Sequence, residues 1–185
     1  MRPVVLHVYD YSLDGVIAEE DSEFYKFCRD APDDPAHEAW LADAYQNASL
    51  HLVGRATYQG MANFFPTATG PIADGMNRVP KVVFSRTLQT ADWPETTIVR
   101  GDLAEEIDKL RRSGTGEMLA HGGVSFVQSL TRLDLVDEYR LTVYPYVAGT
   151  GPRLFTEVAG ARPLELRSSV TFGNGIVSLS YRRSR

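Results

Sequence analysis

Arg55 and Arg86 stand just past the ends of two short apolar runs, Leu52-Val53-Gly54 and Val82-Val83-Phe84-Ser85, and each is followed at close range by a threonine, Thr57 or Thr87. A guanidinium offers fixed, planar N–H donors that match phosphate oxygens, and the hydroxyls of Thr57, Ser85 and Thr87 add donors without bulk. A third segment, Gly122-Gly123-Val124-Ser125-Phe126, follows the run Glu117 to Ala120. All three read as a strand followed by a turn into a helix, where first-turn amides are unpaired and the helix dipole favours negative charge. A glycine ending a strand is by itself ordinary turn chemistry. Three such turns, two of them with an arginine, suit a ligand that carries several phosphates.

None of the three fits the six-residue dinucleotide fingerprint or the Walker pattern, which disfavours an ordinary Rossmann dehydrogenase and a P-loop ATPase. Ser12-Leu13-Asp14-Gly15 places a carboxylate on a tight turn after the first strand-like segment, the usual form of an Asp-Gly turn. Glu38 is a further carboxylate of interest, on a helix ahead of Gly54. His7, His51 and His121 have no partners at metal-ligand spacing, so no metal site is expected. His121 lies just before the glycine pair. Cys28 is the lone cysteine and has no evident base, which leaves neither a disulfide nor a nucleophile and fits a reducing cytoplasm. Trp40 and Trp93 read as packing residues.

The elements that must position these groups alternate. Val4, Leu6 and Val8 form a first strand ending at the Ser12–Gly15 turn. Asp34 and Pro35 start a helix that runs to about Ala48. Leu50 to Val53, Gly54 and a helix from Arg55 to Met61 follow in the order of a nucleotide-binding unit. Lys81 to Phe84 repeats the strand signal. Asp102 and Glu105 suggest a capping box, with Leu103, Ile107 and Leu110 on one helical face before Gly114. After the helix opened by Gly122-Gly123, strands around Tyr139 to Val143, Leu164 to Phe172 and Ile176 to Tyr181 end the chain, the last two as an antiparallel hairpin around Gly173-Asn174-Gly175. This order predicts an α/β domain over 1–185 with a mixed sheet and helices on both faces. Its 185 residues suffice for one core. The net charge of -5 argues against nucleic acid as a partner, so any anion site must be local. The polar start of the chain, with His7 and Asp10, fits neither a signal peptide nor a membrane span.

Leu52-Val53-Gly54-Arg55-Ala56-Thr57-Tyr58 resembles the cofactor segment of dihydrofolate reductases, and Val83-Phe84-Ser85-Arg86-Thr87-Leu88 resembles their segment around the adenosine 2′-phosphate. Gly122 to Leu130 with Leu135-Val136-Asp137-Glu138, and Pro145 to Phe155, are similar to the C-terminal reductase domain of the riboflavin-biosynthesis deaminase-reductase. With Ser12 to Ala18, the matches span nearly the whole chain in order. The resemblance implies a dihydrofolate-reductase-like three-layer α/β/α fold and NADPH as cofactor. It places Gly54, Arg55 and Thr57 at the phosphates, and Ser85, Arg86 and Thr87 near the 2′-phosphate. Gly122 and Gly123 would close on the pyrophosphate, with Val124, Ser125 and Phe126 continuing that wall. Ser12, Leu13, Asp14 and Gly15 would face the substrate, Asp14 orienting it or relaying a proton, and Glu38 falls near the pterin-binding acid of dihydrofolate reductases. The implied activity is hydride transfer to a small polar heterocyclic or sugar-like substrate. Alternatives are pterin reduction with Glu38 as acid, or an NADPH-binding dimer without catalysis. A homodimer paired through C-terminal strands is also implied. The family's lysine, four residues before the serine of the first turn, is Val8 here, and no deaminase zinc motif is present, so the substrate need not be the family's phosphorylated pyrimidine.

Overall fold

Successive residues of the first strand, Val4, Val5 and Leu6, are all buried, because this strand is covered on both faces. In a computed structural model, which describes residues 1–158 and 160–184, the strands are β1 (Val4–Ser12), β2 (Leu50–Gly54), β3 (Lys81–Phe84), β4 (Thr96–Val99), β5 (Met118–His121), β6 (Glu138–Tyr144), β7 (Leu164–Thr171) and β8 (Val177–Arg183). They form one sheet in the order β4-β3-β2-β5-β1-β6-β8-β7. The first six are parallel where they pair, and β8 runs antiparallel to β6 and β7. The helices are α1 (Glu23–Arg29), α2 (Pro35–Asn47), α3 (Arg55–Phe64), α4 (Pro71–Arg78), α5 (Leu103–Arg112) and α6 (Val124–Arg132).

Strand alternation sorts the core into two layers. Val4, Leu6, Val82, Met118 and Ala120 meet Ile107 of α5 and Phe126, Val127 and Leu130 of α6. On the opposite face Val5, Val53, Val83 and Leu119 meet Leu41 and Tyr45 of α2, Tyr58 of α3 and Met76 of α4. The result is the three-layer α/β/α arrangement with its antiparallel C-terminal hairpin. A smaller cluster of Phe24, Cys28, Tyr144, Phe172 and Ile176 seats α1 against the last strands.

Several elements escape a reading of the sequence. α4 has Gly75 in its interior, a weak helix former, but a Cβ there would lie 3.0 Å from the backbone of Tyr45 and Gln46, so close packing on α2 selects glycine over propensity. Its last turn is closed by buried Lys81, whose Nζ donates to the carbonyls of Met76 and Val79 at 2.9 Å each and sits 4.6 Å from the centre of the Trp93 ring. Burial lowers the Lys81 pKa to about 8. The Ser85-Arg86-Thr87 turn does not start a helix: Ser85 Oγ accepts from the amides of Thr87 and Leu88, and the chain continues as a loop to β4, an edge strand. Asp102 caps α5, accepting from the amides of Ala104 and Glu105.

β2 and β5 are neighbours, yet the chain leaves them in opposite directions, from β2 by α3 to β3 on one side and from β5 by α6 to β6 on the other. Such a switch point opens a crevice outside the carboxyl ends of the strands, between the two departing helices. The face of the sheet covered by α2 carries an unusual polar layer. His7, His37, His51 and His121 are all buried there; His121 Nε2 lies 2.7 Å from His51 Nδ1, and His7 Nε2 lies 3.2 Å from the Thr142 hydroxyl.

Candidate functional site

At the switch point the starts of α3 and α6 carry no side-chain cap, whereas Ser22, Asp34 and Asp102 cap α1, α2 and α5. First-turn amides of α3 and α6 are therefore left for a ligand or solvent. The seam between them is tight. Thr57 Oγ1 donates to the Gly122 carbonyl at 2.8 Å, and Gly123, at φ 92°, is so close that an added Cβ would strike Thr57 Oγ1. A Cβ on Gly54 would come within 2.9 Å of Phe126 Cβ. Phe126 in turn stacks on Phe84, ring centres 5.2 Å apart. Gly54 and Gly123 are thus required by close approach, whereas a Cβ on Gly122 would meet nothing within 4 Å.

A cleft of about 450 Å³ opens over this seam. It brings together Gly54, Arg55, Ser85, Arg86, Thr87, Ser125 and Phe126, and adds Arg100, Val99 and Leu103 from the end of β4 and the start of α5. Three arginines and no Asp or Glu line it among the described residues, in a chain of net charge -5. Thr57, Gly122 and Gly123 form the adjoining seam, and Val124 is half-buried against the core of the α5 and α6 face. Arg100 was not visible as a site residue in the sequence, because β4, which ends beside it, was not.

The Ser12–Gly15 turn projects from β1, two strands along the same sheet edge. Asp14 does not hold a free carboxylate. Oδ1 accepts from the Ser12 hydroxyl at 2.7 Å and from Ala148 N at 2.9 Å, Oδ2 accepts from Gly149 N at 2.8 Å, and the Arg153 guanidinium donates to the Asp14 carbonyl. The Ser12 hydroxyl first, then the Ala148 and Gly149 amides, lower the Asp14 pKa to about 2. Ser12 is buried, Leu13 is 71% exposed, and Gly15 takes φ 85°. Beside the turn a pocket of about 290 Å³ lies between Val16, Ile17, Phe24 and Tyr146, with Glu19 and Glu23 at its charged side.

Glu38 is not brought to either place: it is exposed on the outer side of the first turn of α2. The inward residue is its neighbour His37, stacked near Tyr9 and Phe172, with Nε2 buried and without a hydrogen-bond partner. The stripe His37, Leu41, Ala44 and Ala48 at helical spacing carries the signal that selects His37 over Glu38. No group of three or more His, Cys, Asp or Glu among the described residues could hold a metal ion.

Residues 3–178 match the family model of the RibD C-terminal domain. The chain belongs to the RibD C-terminal domain family. This member is 27% identical over 175 residues to the uncharacterized protein YyaP of Bacillus subtilis (strain 168), covering 92% of this chain and 89% of that one. It is 28% identical over 185 residues to YwjB of the same organism, covering 99% of each. Among solved structures it is similar to a protein from Shewanella sp. PV-4 assigned to riboflavin biosynthesis, with TM-score 0.76 at 23% identity and 99% of both chains covered. A pyrimidine reductase-like protein from Corynebacterium diphtheriae gives 0.69 at 14% identity, covering 99% and 92%. Dihydrofolate reductase from Enterococcus faecalis, complexed with NADP(H) and a second ligand, gives 0.64 at 16% identity, covering 99% and 97%. The RibD C-terminal domain described here therefore has the dihydrofolate-reductase-like fold.

Proposed function

We propose that this protein is an NADPH-dependent reductase acting on a small polar substrate of heterocyclic or sugar-like character. The observation that carries this reading is the meeting of two uncapped helix starts and three arginines at the β2/β5 switch point of an acidic chain. A dinucleotide with a 2′-phosphate matches that donor set in charge. Gly54, Arg55, Thr57, Gly122 and Gly123 would meet its diphosphate bridge, and Ser85, Arg86 and Thr87 its doubly charged ribose phosphate. The lack of a carboxylate in the cleft fits the 2′-phosphate, since NAD sites use an acid at the ribose hydroxyl. The cofactor supplies hydride when bound, and the protein supplies orientation. Asp14 acts in this reading by fixing the turn that faces the substrate, because its oxygens are already engaged. Pterin reduction through Glu38 has no acid in place, since that side chain faces solvent.

Calorimetric titration tests the reading. NADPH is expected to bind far more tightly than NADH, and Arg55→Ala and Arg86→Ala each to weaken NADPH. Equal affinity for the two dinucleotides in the parent protein would overturn it. The working unit is further proposed to be a homodimer paired through β7, the edge strand beyond β8 that is exposed along most of its length.

A further inference from the structure

We infer that Arg100 is a positioning residue for 2′-phosphate selection, acting by holding the loop that presents Arg86; this rests on the NADPH reading above. The loop after β3 has no regular structure, yet its backbone is bound on both sides of Arg86. Ser85 N donates to the Val99 carbonyl at 3.1 Å, which ties the loop's start to β4. Ser85 Oγ accepts from the amides of Thr87 at 3.2 Å and Leu88 at 2.9 Å. Gln89 Nε2 donates to the Thr87 carbonyl at 3.0 Å. Arg100, just past the end of β4, donates from Nη2 to the carbonyls of Leu88 at 2.8 Å and Gln89 at 3.4 Å. The loop is held from inside by a serine and from outside by an arginine.

What these bonds leave free is the outward pair, Arg86 and Thr87, both exposed at the cleft. An exposed arginine has large rotational freedom, and a mobile loop beneath it would add backbone entropy to the cost of gathering a phosphate. Fixing the backbone reduces that cost before the ligand arrives. Arg100 itself lines the same cleft, so direct contact with the phosphate is the competing role. The two differ in additivity: a residue that works through Arg86 has no effect once Arg86 is gone, whereas independent contacts add.

The test is a double-mutant cycle read by calorimetry with NADPH and NADH. Arg100→Ala is expected to weaken NADPH about tenfold, the value of one charge-assisted hydrogen bond to the loop, with NADH affinity unchanged. The double variant lacking both arginines is expected to bind NADPH no more weakly than Arg86→Ala alone. Arg100→Lys keeps the charge but loses the planar fork, and is expected to stay weakened. Amide exchange of Leu88 and Gln89 is expected to quicken in Arg100→Ala without any ligand. Additive losses, full recovery in Arg100→Lys, or an Arg100→Ala protein indistinguishable from the parent would overturn the role while leaving the NADPH reading in place. A parent protein that does not bind NADPH would remove both.

Discussion

Asp14 accepts hydrogen bonds from its own turn and from the strap after β6, so its carboxylate joins Ser12 to Ala148 and Gly149 across more than a hundred positions of sequence. That partnership explains why only half of its role was legible. The turn could be read from Ser12-Leu13-Asp14-Gly15, but no local pattern announces a strap so distant. A carboxylate whose folded pKa is about 2 contributes stability above the ordinary aspartate range, and that contribution is lost as pH falls through about 2. With its pKa lowered so far it stays ionised through the neutral range and has no proton of its own to give there. The expected outcome is a pH–rate profile for NADPH oxidation with no inflection traceable to Asp14 above pH of about 4. Asp14→Ala should release the 146–152 strap, seen as faster limited proteolysis there than in the parent; equal cleavage rates would contradict the clasp.

The glycine turns show how elements, rather than single residues, set the cleft. Gly54 and Gly123 allow α3 and α6 to start almost in contact, with Phe126 and Thr57 in the space a Cβ would need. Gly123→Ala must also hold alanine at φ 92°, and a loss of about 1–3 kcal/mol in urea unfolding is expected from crowding and strain together. Gly54→Ala should cost a similar amount, about 1–3 kcal/mol, and both should weaken NADPH by parting the two helix starts. Unchanged urea midpoints would mean that the seam relaxes freely. Elements with a cap or a strong apolar run, such as α2 behind Asp34 and Pro35, could be read from sequence because the signal is local. α4 and β4 could not, since Gly75 answers to α2 and the half-buried Thr96–Val99 strand answers to β3. Within α2 the start was legible while the inward face was not: the apolar stripe turns His37 inward and leaves Glu38, of interest only through the resemblance, exposed.

At the scale of the whole molecule, the four buried histidines govern response to acid. Burial lowers His7 to about 3 and His51 to about 4, and lowers His37 and His121 as well. The unfolded chain takes up these protons near the ordinary histidine value of about 6.5 while the folded chain refuses them, so stability falls as pH drops from about 6.5 toward 4. The slope is expected to reach about 1.4 kcal/mol per pH unit for each histidine charged only in the unfolded chain. Urea titrations between pH 7 and 5, as round working limits of about that range, should show it, and His7→Asn should reduce the slope; a flat dependence would contradict burial of the neutral rings. No helix of the described residues is long and apolar enough to cross a membrane. If β7 pairs with a second copy, Leu166→Lys on its exposed face should shift light-scattering mass toward the monomer. Finally, Trp93 is 2% exposed, its indole N–H bound to Asn77 Oδ1 and its ring under the Lys81 ammonium. The molecule thereby carries its own optical gauge: the emission of that indole should redden when the α4–β3 junction opens, timing its departure against the rest of the fold without any attached dye.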